Sequence, residues 1–175
     1  MTEEELFFQT VKKRRSIRSF KRKEIEESKV NTIIESCDTA PSAGGLQSFE
    51  IYEVTGMDKK DLLTMAAMDQ TFISEAPLVL VFCANASRSV RKYGDRSILY
   101  SIQDATIAAA YAQLAAQALG LVSAWAGAFD ESKVSEVLGL PDKHKPVAII
   151  PIGYANEKPI EKATRGPKNL HHIII

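Results

Sequence analysis

The run PLVLVFCA, Pro77 to Ala84, carries neither a charge nor a hydroxyl, and it constrains the fold more than any other stretch. A strand that is apolar at every position has no side to give to water, so it belongs inside a sheet with protein on both faces. PVAIIPIGY, Pro146 to Tyr154, reads as the last strand of the same sheet. The order of elements is helix, helix, strand, then helix and strand in alternation, with a long tail. That order predicts an α+β fold in a three-layer arrangement.

Thr2 and Glu5 have the spacing of a capping box, and Leu6, Phe7 and Val11 supply an apolar face, so a first helix should run to about Lys13. Val30, Ile33, Ile34 and Cys37 recur at helical spacing and Pro41 ends that second helix. PSAGGLQ, Pro41 to Gln47, joins it to the strand SFEIYEVT, after which Gly56 and Asp58 open a short helix. The polar stretch from Asn85 to Ser97 is a connection into a long Ala-rich helix that Gly120 terminates. So many alanines permit close packing, including on a second subunit. LVSAWAGAF is a strand running into a Gly turn, and Asp130 caps the helix carrying Val134, Val137 and Leu138.

The length of 175 residues, 45% apolar, fits one domain over 1–175. Basic and acidic residues balance at 22 each, so no net charge draws the chain to nucleic acid or to a membrane. Ile98 to Leu119 is interrupted by Gln103, Asp104, Gln113 and Gln117 and makes a poor bilayer span. MTEEELFFQT lacks the basic and apolar regions of a signal peptide and reads as part of the mature fold. Cys37 and Cys83 sit in apolar runs without a C-x-x-C partner, which predicts reduced, buried thiols and a cytoplasmic protein.

KKRRSIRSF, Lys12 to Phe20, concentrates five cations in a chain of zero net charge. If extended, it puts Arg14, Ser16 and Arg18 on one side, where two guanidinium forks and a hydroxyl can hold a phosphate; if helical, Arg14 and Arg18 still share a face. A solvated basic turn at a helix C-terminus would explain the same cluster. Neither G-x-G-x-x-G nor G-x-x-x-x-G-K-[ST] occurs, so a phosphate-bearing ligand must be held in some other way. His144, His171 and His172 have no metal-helix spacing and are expected in solvent, with no metal site, and no serine lies in G-x-S-x-G. Gly127, in a turn beside Trp125, can present backbone N–H groups to a planar heterocycle.

Four stretches occur together and in order: RRSIRSF, APSAGGLQSFEIYEV, AWAGAFDESKVSEVLGLP and PVAIIPIGYANEKP. From Arg14 to about Arg165 the chain resembles the nitroreductase family of flavoproteins. The resemblance implies a homodimer in which a central mixed sheet is flanked by helices, the C-terminal tail extends onto the partner, and two FMN sites are built across the interface. It implies that Arg14, Arg15 and Ser16 hold the ribityl phosphate and that Arg18 reaches the pyrimidine edge, where a guanidinium stabilises negative charge on the reduced ring. Pro41, Ser42 and Ala43 would come from the opposite subunit against the flavin. Gly127 and Ala128 would offer backbone amides to N5 and O4, so no side-chain acid or base is required. In the tail, Arg165 would be a second phosphate ligand, with Lys162 and Lys168 as alternatives.

The implied activity is an oxidoreductase working by ping-pong, with NADH or NADPH as hydride donor to flavin N5 and a nitroaromatic or quinone as acceptor. A flavin-dependent dehydrogenase or dehalogenase on the same fold is an alternative, and so is a non-catalytic protein binding a phosphate ligand or RNA. Two departures from the family stand out. The loop that often carries Asn and then Gln-Pro-Trp reads Gly45, Leu46, Gln47, Ser48, Phe49, and the connection from 85 to 97 is short.

Overall fold

The structure, a computed structural model, describes residues 2–160, 164–167, 170, 171 and 174. Helices α1 (Glu3–Lys13) and α2 (Glu27–Asp38) precede strand β1 (Phe49–Val54), followed by α3 (Met57–Ala66), α4 (Phe72–Glu75) and β2 (Leu78–Ala84). Then come α5 (Val90–Tyr93), the long α6 (Arg96–Ala118), β3 (Val122–Ser123), α7 (Glu131–Leu138) and β4 (Lys145–Gly153). The predicted order holds, with α4 and α5 added as single turns too short to show a period.

The strands lie in the order β1-β2-β4-β3 and every pair is antiparallel. The mixed sheet expected from the resemblance is reduced to one parallel bridge, Ser16 to Ser123, where the segment after α1 runs beside β3. β2 is buried at all of its positions. Val79, Val81 and Cys83 face a core with α3, α4 and α7, to which β4 adds Ile149. Leu80 and Phe82 face the other core with α2 and α6, to which β4 adds Ala148, Ile150 and Ile152. Each large apolar side chain so buried contributes about 1.5–3 kcal/mol. Helices on both faces of one sheet make the three layers.

Most alanines of α6 serve this chain itself, although Ala110 and Ala118 are exposed. Ala108, Ala109, Ala112 and Ala116 are fully buried in the core shared with α2 and the sheet. The face α6 leaves open carries Ile98, Leu99 and Ile102 instead. α1 buries none of its residues, and its Phe7 and Phe8 are 59% and 51% exposed.

β3 is far shorter than the predicted strand. Val122 and Ser123 pair with Gly153 and Ile152, and the same register returns at the bridge between Ala126 and Ile149. In that register Pro151 lies opposite Ala124. Its carbonyl accepts from the Ala124 N–H at 3.2 Å, but a proline has no N–H to return, and the ladder is interrupted there.

Both cysteines are free and buried, and burial pushes each thiol up to about 12. Among the described residues no helix is long and apolar enough to cross a membrane, and no group of His, Cys, Asp and Glu could hold a metal ion.

Candidate active site

The arginine segment leaves α1 at Lys13 and becomes extended, as Arg14 takes ψ 124°. The Ile17 N–H donates to the Ser123 carbonyl at 3.1 Å, Lys21 to that of Tyr154 at 2.8 Å, and Asn156 to that of Ser19 at 2.9 Å. The segment is thus sewn along the free edge of β3 and the end of β4. Of the two sequence alternatives, the extended one is realised. Ile17 is buried, whereas Ser16 and Arg18 are exposed and Arg14 and Arg15 half-buried.

Each cation is held differently. Arg15 turns back on the helix, where Nη1 donates to the carbonyls of Lys12 and Arg14. This satisfies open acceptors at the end of α1 and puts a cation at its negative pole, as in the basic-turn reading. Arg18 lies over the Phe72 ring, 5.5 Å from its centroid. The backbone N–H groups of Arg18 and Ser19 both donate to Glu157 Oε1, at 2.6 and 3.1 Å, fixing the strand that carries the guanidinium.

The Gly127 turn meets the same neighbourhood. Gln70, two residues before Phe72, donates through Nε2 to the Ala128 carbonyl at 2.9 Å, and the Asp130 N–H closes on the Ala66 carbonyl. Gly127 and Ala128 are exposed, and among the described residues their own N–H groups donate to no protein acceptor. A Cβ on Gly127 would lie 3.2 Å from the Trp125 indole nitrogen, so this position is small for a packing reason. The turn therefore presents two open amides, and the segment from Gln70 to Phe72 links it to the Arg18 guanidinium. Such an arrangement holds an electron-rich, acceptor-bearing ring without any titrating side chain.

Pro41, Ser42 and Ala43 are placed elsewhere, at the end of α2. The chain turns through Gly44 and Gly45, both at positive φ, and the Ser42 hydroxyl accepts from the Gln47 N–H at 3.0 Å. Asp104, buried in α6, fixes the loop at two points: Oδ1 accepts from Ala43 N–H at 2.9 Å and Oδ2 from Ser48 N–H at 3.0 Å. A cleft of about 600 Å³ opens there between Pro41, Ala43, Tyr100, Asp104 and Ile107. No hydrogen bond among the described residues joins this loop to residues 14–18. The loop and the arginine segment are thus anchored independently of each other.

Arg165 is exposed in the tail, and Lys162, Lys168 and His172 lie outside the described residues. His171 is exposed as expected, but His144 is not a solvent residue. It is half-buried, with Nδ1 against the Tyr52 hydroxyl and Nε2 3.2 Å from the Asn85 amide, which also donates to Glu50. Pairing at the ends of β1, β2 and β4 draws these polar groups together, which no local motif discloses.

Asp104, Phe72 and Glu157 were absent from the sequence reading of the site. Asp104 had a visible signal: a lone acid at position 104 shares the helix face of Ser101, Ala105 and Ala108, all buried. A charge on a buried stripe needs partners, and two backbone amides are its partners here.

A family model described as the nitroreductase family matches residues 11–73 and 57–154. The FMN reductase [NAD(P)H] of Bacillus subtilis is 28% identical over 172 residues, 90% of this chain and 69% of that protein. Among solved structures, B. megaterium NfrA2 superposes with a TM-score of 0.90 at 29% identity, covering 95% of this chain and 73% of the other. The NADPH:FMN oxidoreductase from Vibrio harveyi, complexed with NAD+, gives 0.89 at 27% identity over 96% and 76%.

Proposed function

The chain belongs to the nitroreductase family, and from that premise we propose that it is an FMN-dependent NAD(P)H oxidoreductase. The observation that carries the reading is the pair of open amides at Gly127 and Ala128, in a turn that the Gln70 to Phe72 segment joins to Arg18. When bound, FMN supplies a two-electron carrier, so that NADH or NADPH and an electrophilic acceptor such as a nitroaromatic or quinone are turned over alternately. Arg14, Arg15, Ser16 and Arg165 hold the phosphate, and Nε and Nη2 of Arg15 stay outside its helix-capping bonds. Arg18 neutralises charge at the pyrimidine edge, and the two amides orient the ring.

The working unit is a homodimer. α1 turns Leu6, Phe7, Phe8 and Val11 to solvent, an apolar face that a second copy covers. Pro41, Ser42 and Ala43 of one subunit complete the site whose arginines come from the other. We place the protein in the cytoplasm, where its two free thiols stay reduced.

The test is a visible spectrum of the purified protein, identification of the released chromophore, and anaerobic addition of NADH and then NADPH. Release of FMN and bleaching by a nicotinamide is the expected result. Colourless protein that cannot be reconstituted with FMN would overturn the reading in favour of a non-catalytic phosphate-ligand or RNA binding protein.

A further inference from the structure

The connection after β2 is basic and packs on the loop that lines the Pro41–Ala43 cleft. Between residues 86 and 96 it carries Arg88, Arg91, Lys92 and Arg96 against the single acid Asp95. Arg88 is 4.0 Å from Glu50; among the described residues, Arg91, Lys92 and Arg96 have no carboxylate within that distance.

Two of these cations, Lys92 and Arg96, are held in place by aromatic rings. Arg96 donates through Nε to the Tyr100 hydroxyl at 2.9 Å and lies 5.0 Å from that ring's centroid. Tyr93 meets Tyr100 edge to face at 5.0 Å, and the Lys92 ammonium is 5.2 Å from the Tyr93 centroid. Lys92 also reaches the loop itself. A Cβ built on Gly44 would stand 2.5 Å from Lys92 Nζ and 2.3 Å from the Tyr93 hydroxyl, so both tips rest on the bare Gly44 backbone. Ala43 and Tyr100 line the cleft, whose walls at Pro41, Ile102 and Ile107 are apolar. Its one acid, Asp104, is already engaged by two backbone amides.

An apolar slot with the Lys92 ammonium beside its Ala43 wall, on Gly44, suits a planar ring that bears a negative charge at one end. We propose that the preferred electron acceptor is an aromatic compound carrying an anionic substituent, such as a carboxylate or sulfonate, and that Lys92 is the residue that selects it. The inference rests on the flavin reading above, because it needs the Pro41–Ala43 loop to face the flavin. Lys92 is exposed, so a single charge pair gives a preference of about two- to fivefold, larger where the ring excludes water. Salt should weaken it.

The probes are 4-nitrobenzoate and its neutral counterpart 4-nitrobenzyl alcohol as acceptors. Benzoate and benzyl alcohol serve as non-reducible ligands, titrated calorimetrically into the oxidised FMN-loaded protein. The acid is expected to have the higher kcat/KM and benzoate the lower Kd. Lys92→Met should shrink both acid-to-alcohol ratios about two- to fivefold, and Lys92→Arg should restore them. Flavin content is measured on every sample. FMN-loaded, NAD(P)H-reducible protein with equal ratios for acid and alcohol overturns this inference and leaves the oxidoreductase reading standing, whereas protein that takes no FMN sinks both. If Lys92→Met lowers kcat/KM for NADPH relative to NADH while the acceptor ratios stay put, Lys92 reads the donor's phosphate and the inference is wrong.

Discussion

Asp104 holds the amide of Ala43 at 2.9 Å from the middle of α6, and its second oxygen holds that of Ser48 at 3.0 Å. One buried carboxylate thereby fixes both ends of the loop between α2 and β1. Asp104→Asn replaces one acceptor oxygen with an NH2 that faces an N–H donor. The loss should be about 1–3 kcal/mol of unfolding free energy, measured by urea denaturation of the flavin-free protein. FMN should also bind more weakly, since the loop carries Pro41 to Ala43. An unchanged denaturation midpoint would show that the two amides find other acceptors.

Gly44 has φ +60°, and Tyr93 and Lys92 occupy the space its side chain would take. Gly44→Ala therefore meets two penalties, a left-handed backbone and a collision with the Tyr93 hydroxyl. Gly45, at φ +70°, has nothing near its missing Cβ, so Gly45→Ala meets only the first. The Gly44 variant should lose more stability than the Gly45 variant, by about 0.5–1 kcal/mol in paired thermal melts, the cost of turning two side-chain tips aside. Equal losses would mean that Lys92 and Tyr93 swing away freely.

Arg14 and Arg15 are neighbours with different duties. Arg15 donates to carbonyls at the end of α1, so Arg15→Ala should lower the stability of the flavin-free protein as well as FMN content. Among the described residues Arg14 makes no side-chain hydrogen bond or ion pair. Arg14→Ala should lose FMN and leave the flavin-free melt within about 0.5 kcal/mol of the parent. Unchanged flavin content in Arg14→Ala would remove Arg14 from the phosphate site.

Much of the architecture was legible because local rules set it. The capping box of Thr2 and Glu5 starts α1, Asp130 accepts from the Lys133 N–H to start α7, and Gly120 follows the end of α6 at φ +76°. The apolar run of β2 could only be central. The features that escaped depend on residues far apart in sequence. The break in β3 requires Pro151 opposite Ala124, and the burial of His144 requires Tyr52 and Asn85 on neighbouring strands. The extended arginine segment was one of two readings until its bonds to Ser123 and Tyr154 decided it. The site's residue types were visible, but the anchoring of the Pro41–Ala43 loop by Asp104, apart from the arginine segment, is a property of the fold.

Glu26 stands at the start of α2 and accepts from the Tyr154 hydroxyl just past β4, with Lys29 and Lys23 3.3 and 3.4 Å away. The Tyr154 bond, helped by a backbone bond and the two lysines, lowers its pKa from 4.5 to about 2. A carboxylate with a depressed folded pKa contributes stability that is present in full above its ordinary value and is lost as pH falls toward the folded one. The difference in unfolding free energy between the parent and Glu26→Gln should therefore be constant above about pH 5 and close between there and about pH 2. Because the group is at the surface, added salt should narrow the difference at neutral pH. Urea titrations of both proteins across that pH range measure it. A gap that stays open at the acid end would mean that the glutamine change acts through the packing of Tyr154 rather than through the charge of Glu26.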